Sequence, residues 1–274
     1  MRRETARRIA VDGGAALVLV LALGGTAVLS ASLRAAERAS GWALFALVVG
    51  LAAYHLRKRL PFLPLGSSAT WMALHSRAGV LAIVVFFVHA GGRLPAGALE
   101  RVLALLFWAV SGSGIVGLLL TRAIPRRLAA RGEEVLFERI PLLRRRLREQ
   151  AEAVVLGVAE ASHLGTLAGF YGRELAPFFA APRNFWPHLS GSGRPLGHLL
   201  GGLAAIERYL DERERGGAAR LASLIRAKDD LDFHHTHQAA LKGWLFVHVG
   251  LTWSLLLVGL LHGALGELFS GVDP

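Results

Sequence analysis

The chain has 274 residues, of which 53% are hydrophobic, a formal net charge of +11 and no cysteine. The lack of cysteine excludes structural disulfides, thiolate-bound iron–sulfur clusters and covalently attached c-type haem in this chain. The apolar residues form long runs with basic residues between them, so we attribute the charge to membrane topology and anionic lipid rather than to nucleic-acid binding.

Five apolar runs are predicted to cross a lipid bilayer, whose hydrocarbon core takes about 20 residues of helix. The second run is the shortest, but it is uncharged and becomes long enough when it is extended at either end. The first has the basic start of a signal peptide and small residues near Ser30 and Ser32, yet its apolar stretch is long for that role, so we interpret it as a retained helix. The sequence therefore predicts an all-α integral membrane bundle of five transmembrane helices with a helical cytoplasmic insertion, and its spans are 11–33, 41–56, 71–91, 102–121 and 241–263.

Lysines and arginines are concentrated on one side of the predicted spans, and such a side normally faces the cytoplasm. The amino terminus, the connection between the second and third spans and the segment after the fourth span are rich in basic residues. The opposite connections have two arginines each, and the tail after Gly263 has none. We therefore expect a multi-pass protein of the cell's inner (cytoplasmic) membrane, with its amino terminus in the cytoplasm and its carboxyl terminus outside.

A hydrophilic segment separates the fourth and fifth spans. The sequence thus predicts three parts: helices one to four in 1–121, a cytoplasmic helical insertion in 122–236, and the fifth span with an outer tail in 237–274. Charged and apolar residues alternate at helical spacing early in the insertion, where Pro141 marks a break or a helix start. The stretches "HLLGGLAAIERYLDERERGG" and "AARLASLIRAKDDLDFHH" are interpreted as two further helices, and "APFFAAPRNFWPHLSGSGRPLG" as a Pro/Gly-rich loop.

Four aromatic residues of this loop are expected to be exposed and to form a docking surface for a partner, because clustered aromatics are common at interfaces. In the alternative interpretation, the rings fold back onto helices of the insertion or onto the lipid headgroups. The four residues are Phe178, Phe179, Phe185 and Trp186.

Two predicted spans each contain a pair of histidines 14 positions apart, His75 with His89 and His248 with His262. On a helix, 14 residues turn through about 1,400°, close to four full turns, and rise about 21 Å. Each pair therefore projects from one face of its helix. The third and fifth spans run in the same direction, so we expect His75 to lie level with His248 and His89 level with His262.

Two facing imidazoles at each of two depths favour two bis-histidine haems of the b type, since haem iron accepts two axial imidazoles and a porphyrin fills a slot between helices. Zinc would need further ligands at each level, and the spans offer almost none. Hydrogen-bonded neutral histidines are the remaining alternative, but they would not require two matched levels. Glycines in the second to fourth spans would admit a porphyrin edge, although ordinary helix packing explains them equally well.

Two such histidine pairs on co-directional helices, with glycine-bearing helices beside them, resemble the dihaem membrane cytochromes b. These include the four-helix haem-binding core of the cytochrome b of quinol-oxidising bc complexes and the cytochrome b subunits that anchor bacterial redox complexes. The resemblance implies iron ligation by His75, His89, His248 and His262 and a place in a respiratory chain. The chain departs from the bc pattern in its first helix, its large insertion and the absence of a Pro-Glu-Trp-Tyr segment, so bifurcated quinol oxidation is not expected.

Further polar residues lie at depths that suit two other roles. Arg77 and Lys242 near the inner histidines, and Arg93 after His89, are candidates for haem propionates or for snorkelling anchors. A candidate quinone site near the inner haem would use titratable histidines. In the alternative interpretation these histidines are polar residues at the membrane interface or at the start of a helix. Its members are His55, His234, His235 and His237, whereas His163, His188 and His198 have no recognisable spacing and stay unassigned.

The expected function is electron transfer across the membrane, between a quinone pool and a partner redox protein such as a c-type cytochrome or an iron–sulfur protein. The chain lacks a nucleotide-binding fingerprint, so it is expected to be one subunit of a membrane oxidoreductase complex. A haem-free membrane anchor that recruits a partner through its cytoplasmic domain is the alternative. A transporter with histidine proton relays would need acidic residues in its spans, and Asp12 is the only one found.

Overall fold

The computed structural model describes residues 33–59, 67–131, 135–160 and 165–269, and in the first of these ranges it describes side chains from Glu37 to Tyr54. The predicted first span, apart from its last position, lies outside the described residues, as does His163. His55 is placed by its backbone alone.

The described part of the chain is helical and contains no β-strand, so the expected all-α fold is confirmed there. Short 3₁₀ turns at Phe137–Arg139 and Glu207–Tyr209 and a π turn at Tyr171–Leu175 link some of the helices. The α-helices are α1 Leu33–Arg59, α2 Ser68–Ala90, α3 Ala98–Ala129, α4 Ile140–Ala159, α5 Thr166–Phe170, α6 Ala176–Ala180, α7 Phe185–Ser190, α8 Arg194–Ile206 and α9 Glu212–Phe269.

Three helices, α2, α3 and α9, are long and apolar enough to cross a membrane. For α2, the residues at each end determine where the helix begins and ends. Ser67 caps α2 by accepting a hydrogen bond from the Thr70 amide at 3.2 Å. Gly91 ends α2 in the left-handed conformation, with φ of 58°, which glycine adopts without a steric penalty.

The chain divides into two compact units, one formed by 1–118 with 244–274 and the other by 119–243. In the first unit α1 packs along α2, and a small apolar core joins Val48, Ala82, Phe107 and Leu255. Many apolar side chains of this unit point outward, as expected for helices in contact with lipid. Examples are Val80, Leu105, Phe246 and Leu257.

The second unit has a larger core, built from α4, α5, α6, α8 and the first half of α9. Pro141 lies in the first turn of α4, so it marks a helix start. The predicted aromatic docking surface is wrong in half of its members, because Phe178 and Phe179 are 5% and 1% exposed and belong to this core. Phe185 and Trp186 remain exposed, at 39% and 74%.

The two helices predicted around "ERERGG" and "DDLDFHH" differ from the structure in their boundaries. Gly216 and Gly217 do not end a helix, because α9 begins at Glu212 and runs without a break through the predicted fifth span. A β-carbon at Gly217 would lie 2.7 Å from Val158 and 3.0 Å from Leu167. The glycine therefore serves close packing of α9 against its neighbours, and this contact is invisible in the sequence.

Candidate functional site

Two histidines from different helices face each other in the first unit. The rings of His75 on α2 and His248 on α9 have their centroids 6.4 Å apart, with an angle of 70° between their planes. Both side chains are half-buried. The Tyr54 ring of α1 also contacts His75, with ring centroids 5.4 Å apart.

The orientation of His248 is set by residues of α3 and by its own helix. Its Nδ1 atom lies 3.2 Å from the Ser113 hydroxyl. The Trp244 ring stacks on His248 at 5.3 Å, and the Trp244 indole N–H donates to the Ser113 carbonyl at 2.8 Å. Gly114 and Gly117 make room for these rings, since a β-carbon at Gly114 would lie 3.8 Å from His248 and one at Gly117 would overlap Trp244. These contacts leave Nε2 as the His248 nitrogen available to a ligand.

A cavity of about 340 Å³ opens beside His75, between α1 and α2. That volume is at the lower end of the range for small-molecule sites, about 300–1,000 Å³. Its walls are mostly small or apolar, with Tyr54, Trp71 and His75 as the polar groups. Gly50 lines it without any neighbour that a β-carbon would meet within 4 Å.

The second histidine of α2, His89, is held by the start of α1. Its Nδ1 atom lies 3.1 Å from the Glu37 carbonyl oxygen and 3.2 Å from the Ser40 hydroxyl. A carbonyl oxygen can only accept, so Nδ1 carries the proton and Nε2 is a free acceptor. Gly41 allows the close approach, because a β-carbon there would lie 2.9 Å from His89 Cε1.

His262 of α9 lies within electrostatic range of His89, at the same end of the first unit. The next residue, Gly263, faces the Trp42 ring of α1, which a β-carbon would meet at 3.6 Å. The Trp42 indole N–H donates to Glu267 at 3.0 Å and so ties α1 to α9 at this level. The structure therefore brings His75 to His248 and His89 to the neighbourhood of His262.

The His75–His248 spacing suits a metal ion with two imidazole ligands. Two metal–nitrogen bonds of about 2 Å, with roughly 1.1 Å from each nitrogen to its ring centre, separate two ring centres by about 6 Å. Among the described residues, no group of three or more His, Cys, Asp or Glu side chains is arranged to hold a metal ion.

The basic residues considered for propionates have different surroundings. The Lys242 ammonium lies over the Phe137 ring at 3.8 Å and donates to Glu138 at 3.0 Å, which lowers the pKa of that carboxyl. Arg77 is half-buried on α2, two residues after His75. Arg93 is exposed, just beyond the end of α2.

The histidines considered for a quinone site belong to the second unit, apart from His55. His234 and His237 are buried, at 2% and 0% exposure, and His235 stacks on Phe137 with ring centroids 5.4 Å apart. Burial lowers the pKa of His235 and of His237. The His237 ring also donates its Nδ1 proton to the Phe233 carbonyl at 2.9 Å.

Sequence reasoning missed the residues that orient the histidines. Ser40, Ser113 and Trp244 each contact a histidine or its anchor. The signal that could have found Ser113 is its place in "VSGSG", a polar and glycine-rich stretch in an otherwise apolar span. Comparison of the chain with family models, curated proteins and solved structures gives no match.

Proposed function

We propose that this chain is a dihaem b-type cytochrome subunit that transfers electrons across a membrane, between a quinone pool and a partner redox protein. The observation that carries the proposal is the His75–His248 pair, with ring centroids 6.4 Å apart on two helices that are each apolar enough to span a bilayer. A bound haem would supply one-electron redox chemistry through its iron.

In the proposal, His75 and His248 would hold one haem, and His89 and His262 would hold the other. Two features support it besides the ring spacing. The His248 and His89 rings both have a protein partner at Nδ1, which is the arrangement that orients metal-bound histidines and raises their basicity. Glycines also lie beside both rings, Gly114 at His248 and Gly41 at His89, so that no β-carbon crowds them.

The two levels would be separated by about 21 Å along each helix, a rise that follows from 14 residues of α-helix. The chain's part is to hold the ligands, exclude water with apolar side chains and place charged groups towards the surfaces. In this proposal the chain crosses the inner membrane five times, with 11–33 and the α1 segment 41–56 as the first two spans. Its amino terminus is cytoplasmic, its carboxyl terminus is outside, and the quinone site uses the cytoplasmic histidines His234, His235 and His237.

A dithionite-reduced minus oxidised optical spectrum of the purified protein, with a pyridine haemochrome count, tests the proposal directly. We expect the α-band of a six-coordinate b-type cytochrome and two haems per chain. A protein that binds no haem, when it is produced in a haem-sufficient host and remains monodisperse, would favour the haem-free anchor instead.

A further inference from the structure

The buried side chains of α9 change from apolar to polar within the second unit. Ala218, Leu221 and Ile225 are apolar members of the core. The next buried positions of α9 are polar or charged and almost fully enclosed, and enclosed charges persist only where neighbouring groups stabilise them. These residues are Lys228, Asp229, Asp232, His234, Thr236 and His237, all at most 2% exposed.

Part of this polar layer is a buried ion pair between Lys228 and Asp232. The Lys228 ammonium donates to the Asp232 carboxylate and to the Ala181 carbonyl. Asp232 also accepts from the Arg183 amide at 3.0 Å. These contacts hold the segment between α6 and α7 against α9.

The rest of the layer connects the surface to the interior. The Arg131 guanidinium donates to Asp230 at 3.2 Å and to Asp229 at 3.1 Å. The Asp230 side chain is 48% exposed, whereas that of Asp229 is 3% exposed. One arginine therefore joins a carboxylate in water to a carboxylate inside the protein.

Two buried imidazoles continue inward from Asp229. His188 of α7 places Nε2 at 3.5 Å from an Asp229 carboxylate oxygen without forming a hydrogen bond, and neither ring nitrogen of His188 has a hydrogen-bond partner among the described residues. The rings of His188 and His237 both pack on Phe233, with centroid distances of 5.9 Å and 4.1 Å. Because His237 Nδ1 donates to a backbone carbonyl, its enclosed Nε2 is an acceptor, again with no partner in the described part of the chain.

Burial shifts the pKa values of these two groups towards each other. It lowers the pKa of His188 to about 4, against the attraction of Asp232, and the charges of Arg131 and Lys228 and the neighbouring His237 lower it further. Burial also raises the pKa of Asp229 above its usual value, while Arg131 works in the opposite direction. Both shifts reduce the free-energy difference between a proton on Asp229 and a proton on His188, and a smaller difference favours proton transfer in either direction.

We propose that Asp229, His188 and His237 form a proton-transfer path from water at Asp230 into the second unit, towards the candidate quinone site at His234, His235 and His237. This inference rests on the proposed function, because a quinone reduced by two electrons takes up two protons and a quinol releases them. A proton enters on the Asp229 carboxylate and moves to His188 Nε2 as His188 Nδ1 releases its own proton. That proton reaches His237 Nε2 through one bridging water, since buried waters bind otherwise unsatisfied polar atoms. No electron moves along the path, and each O–H or N–H bond broken is matched by one formed.

The test uses the full-length protein in detergent and two routes of haem reduction. Dithionite reduces haem without a proton path, whereas reduction by decylubiquinol or menadiol requires proton release. We expect His188→Gln and Asp229→Asn each to slow quinol-driven reduction by at least about 100-fold, the lower end of the range for a positioned proton-transfer group. The dithionite spectrum should not change. The double variant should be no slower than the slower single variant, because the groups act in series.

The matched control is His198→Gln, which removes an exposed histidine of the same unit and should leave both routes unchanged. Millimolar imidazole should restore quinol-driven reduction in His188→Gln, as a mobile proton carrier would. If the buried variants lose their dithionite spectrum through misfolding, Asp230→Asn at the exposed end decides: slowed quinol-driven reduction supports the path, and an unchanged rate refutes it.

These experiments test the proton path and the proposed function separately. Haem present and an unchanged quinol rate in His188→Gln and Asp229→Asn would refute the path and leave the cytochrome proposal intact. A parent protein without haem, or with haem that neither quinol reduces, would refute the proposed quinone function and the path with it.

Discussion

The His89 imidazole and the Glu37 carbonyl group are joined by a hydrogen bond of 3.1 Å between α2 and the start of α1. The same carbonyl accepts from the Ser40 hydroxyl at 2.9 Å, so one backbone oxygen holds both side chains. The contact fixes the protonated nitrogen of His89 and leaves the other as a potential metal ligand. Its geometry depends on Gly41, which lies against the ring.

Replacement of Gly41 by alanine should displace the His89 ring. A helix-interior Gly→Ala change ordinarily stabilises a helix by about 0.5–1 kcal/mol, but here the new methyl group would lie 2.9 Å from His89 Cε1. We expect the haemochrome count to fall from two towards one per chain. Gly79→Ala on α2, where a β-carbon meets nothing within 4 Å, is the control and should retain both haems.

The ligand pairing predicts which substitutions act together. His89→Ala and His262→Ala should each remove the same outer haem and spare the inner one, and His75→Ala and His248→Ala should each remove the inner haem. Redox-resolved optical spectra of the four variants distinguish the two centres. Loss of the same haem in His89→Ala and His248→Ala would show that the pairing is wrong.

Ser113→Ala should change the midpoint potential of the inner haem without removing that haem. The Ser113 hydroxyl contacts His248 Nδ1, and loss of a hydrogen bond at this nitrogen lowers the basicity of the ligand. A less basic ligand stabilises oxidised iron less, so we expect a more positive midpoint potential for the inner haem. Haem affinity at this site should fall by about 10–100-fold.

Ser254→Ala is the matched control, because its hydroxyl bonds to the Gly250 carbonyl on the same helix and is exposed. A potentiometric titration followed in the α-band measures both variants. Equal potentials in Ser113→Ala and in the parent would show that Ser113 does not act on a metal ligand.

Helical periodicity predicted which residues of one helix share a face, and this is why the placement of His75 with His89 on one helix could be made from the sequence. Periodicity carries no information about which helices touch. The Ser113–His248 and His89–Glu37 contacts join residues 135 and 52 positions apart, and only tertiary packing brings them together.

The wrong predictions in the predicted insertion, 122–236, also arose because tertiary packing cannot be read from local sequence. Pro177, Pro182 and Pro187 made the segment around Phe178 and Phe179 look like an exposed loop. Pro177 lies in the first turn of α6 and Pro187 in the first turn of α7, positions that proline tolerates, and α6 buries both rings. Gly216 and Gly217 looked like a helix end, yet α9 continues because Gly217 faces Val158 across a close contact. Local turn signals were overridden by burial in both places.

Because Phe179 is buried and Trp186 is exposed, replacement by alanine should destabilise the protein strongly at Phe179 and only slightly at Trp186. Phe179 is 1% exposed, and removal of a buried phenylalanine side chain costs about 3–5 kcal/mol. Trp186 is 74% exposed, so Trp186→Ala should change the free energy of unfolding by less than about 0.5 kcal/mol. Thermal unfolding of the solubilised protein compares the two variants, and equal destabilisation would contradict the placement of Phe179 in the core.

Burial of His188 predicts that the second unit loses stability in mild acid. Its pKa is about 4 in the folded protein against 6.5 for an unperturbed histidine, so between these values the unfolded chain binds a proton that the folded chain does not. The free energy of unfolding should therefore fall as the pH drops from 6.5 to 4, by up to about 3 kcal/mol from this group. Asp229 opposes the effect, because its raised pKa makes its protonation favour the folded state.

The measurement is accordingly a comparison of pH profiles between variants. His188→Gln cannot take up the proton, so its unfolding temperature should decline less between pH 7 and pH 4.5 than that of the parent, whereas His198→Gln should follow the parent. Parallel profiles for His188→Gln and the parent would mean that His188 is protonated equally in the folded and unfolded chains, which its enclosure beside Arg131 and Lys228 argues against.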